Sequence, residues 1–161
     1  MQTAGLRGPA QAMSAAMGKK TAAFSRDSDL TGLWSGEYWY GGAGLPTPFT
    51  AHFVDAAGSL TGTTLEPNTF ADPAVTELSA TLRGARGNLS VRFVKLYDPA
   101  PGVHRSPIHY VGSVDADLTV IDGEWSIAGA EGGAGRFVLV RVSRGAQAES
   151  VERAEEIASQ R

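Results

Sequence analysis

The chain contains no cysteine and no long uninterrupted apolar stretch. The first absence excludes a disulfide framework and thiolate-based metal or redox chemistry. The second excludes a membrane-spanning helix, which needs about 20 consecutive apolar residues. Charge is scarce and nearly balanced, with 14 Lys and Arg against 17 Asp and Glu, a net of −3. A nucleic-acid binder usually carries a basic face, so this mild acidity argues against one. No Gly-x-Ser-x-Gly elbow, P-loop or dinucleotide fingerprint occurs. Gly41-Gly42-Ala43-Gly44 lacks the basic partners of a phosphate cradle and reads as a flexible loop.

What is abundant is glycine, 20 of 161 residues, nearly double the usual share of about 7%. Its distribution draws the domain boundaries. Residues 31–143 hold 16 of the 20 glycines and all of the Trp, Tyr and His. Residues 1–30 are rich in Ala, Gly, Ser and Gln and poor in large apolar side chains. Such a segment cannot bury enough apolar surface to offset its ordering entropy, so a disordered arm is expected there. Its nearest approach to a secretory apolar stretch, Ala15-Ala16-Met17, is ended by Lys19-Lys20. A cytoplasmic location is therefore expected. Residues 144–161 lack Pro and place Val151, Ala154, Ile157 and Ala158 on one narrow helical face, which reads as a helical or disordered tail.

Within 31–143 the glycines fall between runs rich in β-formers. The runs are Leu33–Tyr40, Pro48–Asp55, Ser59–Glu66, Val75–Arg83, Asn88–Tyr97, Pro107–Val114, Asp117–Ile127 and Gly135–Ser143. Nearly every connection is of hairpin length, which builds an antiparallel meander. No useful helix fits between runs, so a parallel sheet is excluded. The expected fold is all-β, an eight-stranded antiparallel up-and-down meander closed into a barrel, which removes both sheet edges. Such a barrel holds side chains or one small ligand. A two-sheet sandwich would need longer crossover connections.

Alternation places Trp34, Gly36, Tyr38 and Tyr40 on one face, and likewise Val91, Phe93, Lys95 and Tyr97, then Ile121, Gly123, Trp125 and Ile127. Gly36, Gly62, Gly112 and Gly123 fall on the same inward face. Glycine there implies a sharp strand bend or a ring packed on the backbone.

Gly32-Leu33-Trp34 at the start of the first run, followed by the meander, resembles the calycin superfamily, which includes lipocalins, fatty-acid-binding proteins and avidin-like barrels. The resemblance covers about the central two-thirds of the chain and rests on a short motif. It implies that Trp34 closes the barrel floor and that Arg141, or else Arg144, lies across it. The stretch Trp34 to Gly44 does not align with the residues an avidin uses for biotin, so biotin binding is not implied. Gly-Leu-Trp-Ser-Gly is also similar to the opening of haem-binding nitrobindin-type barrels, except that Tyr38 stands where those usually have glycine.

The candidate ligand-binding residues are Tyr38, Tyr40, Phe93, Lys95, Tyr97, Tyr110 and Trp125. Lys95 lies between Phe93 and Tyr97 on an otherwise apolar face, where a buried ammonium needs a partner or a ligand. It reads as an anchor for a ligand carboxylate, as a base, or as a rim residue reaching solvent. The tyrosines offer flat apolar bodies with one polar tip, suited to a small amphipathic molecule. His52, His104 and His109 show no spacing that demands convergence, so no metal or other cofactor is implied.

The expected function is binding of a small hydrophobic or amphipathic ligand inside the barrel. One alternative is an isomerase or lyase using Lys95 or His109 as acid–base. Another is an interaction module with a filled barrel. In that case Val138, Val140 and Val142, on the outward parity of the last run, would form a sheet-face contact such as a homodimer.

Overall fold

A computed structural model describes residues 28–42, 44–129, 133–142, 153 and 155–160 of the chain. Apart from residues 28–30, the expected N-terminal arm lies outside the described residues. So does most of the tail, of which residues 155–159 form a short helix. No described helix is long and apolar enough to cross a membrane.

Eight strands run in chain order: β1 Gly32–Tyr40, β2 Thr47–Ala56, β3 Ser59–Pro67, β4 Glu77–Gly87, β5 Ser90–Tyr97, β6 Ile108–Val114, β7 Val120–Ile127 and β8 Ala134–Arg141. Each pairs antiparallel with its sequence neighbour, and β8 returns to β1 through Trp34↔Arg141 and Tyr38↔Phe137. The sheet is a closed barrel, as the short connections require. Two tight turns use left-handed backbone: Ala57-Gly58 between β2 and β3, and Asn88 between β4 and β5.

The strand limits differ most at β4. The sequence suggests a stop before Gly84, yet β4 continues to Gly87. Gly84 is an inward residue of the strand, and a Cβ there would strike the Arg92 carbonyl and the Phe93 side chain of β5. Here glycine permits close packing and does not mark a turn. Gly36 and Gly123 serve the same end, since a Cβ at either would run into the carbonyl of Val138 or Val111 on the adjoining strand. The inward glycines thus let tightly coiled strands approach where the barrel bends.

Inward side chains form one continuous core from Leu30, Trp34 and Phe53 through Phe93, Tyr110 and Phe137 to Tyr38, Tyr97 and Trp125. The barrel has two unlike ends. One, the floor, holds the start of β1, the end of β8 and the β2–β3, β4–β5 and β6–β7 turns. The other, the mouth, holds the β1–β2, β3–β4, β5–β6 and β7–β8 connections.

The floor is closed as the resemblance implies. Trp34 is fully buried and its indole Nε1 donates to the Leu30 carbonyl at 3.0 Å. The Arg141 guanidinium lies 4.7 Å from the Trp34 ring centroid and donates to the carbonyls of Leu118 and Thr31, at 2.9 and 2.8 Å, and to that of Asp29. Asp55 accepts from the Leu30 and Gly58 amides and from Arg86 at 2.6 Å. Burial opposes ionisation of Asp55, but these hydrogen bonds and the Arg86 charge prevail and hold its carboxyl below its ordinary value of 3.8.

Candidate functional site

Strand alternation carries four polar side chains into the mouth half of the barrel: Tyr38 on β1, Glu66 on β3, and Lys95 and Tyr97 on β5. They meet around the Glu66 carboxylate. Its Oε1 accepts from Lys95 Nζ and, at 3.0 Å, from the Tyr97 hydroxyl. Its Oε2 accepts from the Tyr38 hydroxyl at 2.7 Å. Lys95 also donates to the Tyr97 oxygen at 3.3 Å and lies 4.6 Å from that ring's centroid. The rings of Tyr38 and Phe49 flank the same ammonium at 5.4 and 5.5 Å.

This cluster is sealed: Lys95 is 1% and Glu66 2% exposed. Burial holds the Lys95 ammonium below its ordinary value of 10.5, and the Glu66 carboxylate offsets only part of that fall. Burial also raises both Tyr38 and Tyr97 well above the usual phenol range, and the neighbouring Glu66 charge raises them further. Both hydroxyls therefore stay protonated and serve as donors. Tyr110 is raised for the same first reason, burial.

The seven candidates share the inward strand parity, six of them buried and Tyr40 exposed at the rim, and they form three groups. Tyr38, Lys95 and Tyr97 belong to the polar cluster. Phe93 and Tyr110 lie deeper, stacked with centroids 4.8 Å apart, and Phe137 meets both edge-on. Tyr40 and Trp125 form the rim, 5.1 Å apart edge-on, with Trp125 also 6.0 Å from Tyr38. Tyr40 is 54% exposed, while Trp125 is buried and donates from Nε1 to the Trp39 carbonyl at 3.0 Å.

Glu66 escapes the sequence reading because it ends its run beside Pro67-Asn68, where a carboxylate looks like turn chemistry. Its parity with Leu60 is the signal that would have placed it inside, and inward Lys95 calls for such a partner.

Two mouth connections cover the Tyr97 side. Asn68 clamps the β3–β4 connection: its side-chain amide donates to the Asp72 and Val75 carbonyls and its oxygen accepts from the Phe70 and Ala71 amides. The Asp72 amide reaches the Pro101 carbonyl of the β5–β6 connection at 3.3 Å. There the His104 ring meets Phe70 at 5.7 Å and Tyr97 at 5.4 Å.

The other histidines, His52 and His109, point outward and are exposed. Among the described residues no three of His, Asp or Glu are placed to hold a metal. Val138 and Val140 lie on the outer wall as alternation predicts, with Val140 48% exposed. A 520 Å³ depression over Thr61, Thr81, Arg83 and Val94 also lies on that outer wall, away from the interior cluster.

The chain matches no protein-family model, no curated protein and no solved structure.

Proposed function

We propose that this calycin-like barrel binds a small, uncharged, amphipathic molecule in its mouth half. The observation that carries the reading is the sealed Glu66–Lys95 pair with its two tyrosine hydroxyls. Burying an ion pair stabilises a fold less well than filling the same space with apolar side chains. A barrel serving only its own stability gains little from such a cluster. A binding site gains convergent, fixed polar groups within aromatic walls.

The same pairing argues against a free anchor for a carboxylate. Glu66 already neutralises Lys95, so a charged ligand would leave one buried charge without a counterpart. A neutral ligand preserves the balance and can still donate a hydrogen bond to a tyrosine oxygen, whose own proton goes to Glu66. Phe70 and His104 cover one side of the mouth, which leaves Tyr40 and Trp125 as the flank past which the ligand enters.

Native mass spectrometry of protein purified from its own host tests this directly. The expected result is an added small-molecule mass that disappears on denaturation. A bare-chain mass, together with no binding of the neutral dye Nile red, would overturn the reading. A doubled mass would identify a homodimer in the same spectrum.

A further inference from the structure

Thr64 presents a polar atom that no described residue satisfies. It lies on the inward face of β3, two residues before Glu66, and is 4% exposed. Its Oγ1 is buried and has no hydrogen-bond partner among the described residues. An unpaired buried hydroxyl costs free energy that a valine of the same shape would not. Its cross-strand neighbours deepen the anomaly. Register places Ala51 of β2 on one side and Ala80 of β4 on the other, so both cross-strand partners offer only a methyl group. The next inward positions on those strands are large: Phe49 and Phe53 on β2, Leu78 and Leu82 on β4.

We infer that Thr64 is the deep end of the binding site, receiving the hydroxyl of an uncharged, ring-bearing ligand between Ala51 and Ala80. This rests on the ligand-binding reading above and narrows it. Short of glycine, alanine is the smallest residue a strand can place there, so the wall beside the hydroxyl carries little side-chain bulk. The walls on either side include aromatic rings, with Phe53 and Phe93 edge-on at 5.5 Å, a surface suited to a flat ring. The threonine hydroxyl can both donate and accept, so it takes a ligand hydroxyl in either sense. Neutrality follows from the balanced Glu66–Lys95 pair two positions along the same face.

A matched pair of probes separates this inference from its parent. Toluene and p-cresol are similar in size, and the second adds one hydroxyl that is uncharged at neutral pH. Dissociation constants for both are measured on the full chain by NMR titration. The wild type is expected to prefer p-cresol by a few-fold to about tenfold, the worth of one neutral hydrogen bond. Thr64→Val should bring p-cresol down to the affinity of toluene, and Thr64→Ser should keep the preference. Thr64→Val without ligand should also melt higher, by about 2–6 °C, because it removes an unsatisfied hydroxyl. Equal binding of the two probes by the wild type, or a preference that survives in Thr64→Val, would overturn the Thr64 assignment alone. If neither probe shifts any inward resonance, the ligand-binding reading falls with it.

Discussion

At the floor, the inward charges end on the chain's own backbone: Arg141 on three carbonyls, Asp55 on two amides and on Arg86. In the mouth half, the charges face each other, and the remaining contacts of the carboxylate are phenol hydroxyls. The floor groups satisfy backbone that the barrel's ends would otherwise leave open, so each is tied to closure. The mouth groups are satisfied by side chains, chiefly one another. They could be removed together without opening a single backbone bond, which sets them apart from the closure of the barrel.

That contrast breaks most sharply on the buried pair. Glu66→Gln alone leaves the Lys95 ammonium uncompensated and should cost about 3–5 kcal/mol in urea unfolding. Replacing the whole cluster, with Glu66→Leu, Lys95→Met, Tyr38→Phe and Tyr97→Phe together, should return stability to the parental value or above it. If the fourfold variant were as weak as Glu66→Gln, the mouth would be structural in the same sense as the floor. Arg141→Met has no such rescue, because the carbonyls it serves cannot be substituted; a loss of about 1.5–3 kcal/mol is expected.

The next smaller effect is in acid. The Asp55 carboxyl titrates below its ordinary 3.8, so its contribution is complete above that pH and is lost as the pH falls through the lowered value. Asp55→Asn should flatten the fall in stability below about pH 4, measured by thermal unfolding at each pH. At the rim, Tyr40→Ala should cost less than about 1 kcal/mol, since half the ring is already in water. Its effect should appear instead as a shift in Trp125 emission, because that indole loses an edge contact at 5.1 Å.

The fold was legible because period-two alternation and hairpin-length connections leave few topologies open. Trp34 and Arg141 were legible through a short motif and a register argument. The centre of the site was only half legible. Lys95 stood out as a charge among aromatics, whereas Glu66 and Thr64 sit on a strand whose outward face is also threonine-rich, so alternation gives no polarity contrast. Gly84 misled for a related reason: glycine spells both a turn and a close approach, and only the partner strand tells which.

The inward glycines have a consequence for selectivity. At Gly36, Gly62, Gly84, Gly123 and Gly135 a neighbouring strand's carbonyl occupies the space a side chain would need. A wall held by strand-to-strand contacts of that kind has a fixed calibre; it cannot widen by rotating a side chain aside. On the proposed ligand-binding reading, discrimination between molecules of different girth then falls to the rim, where Phe70 and Tyr40 stand partly in solvent. Substitutions that change which molecule the proposed site accepts should accordingly gather at those rim positions and spare the glycine belt.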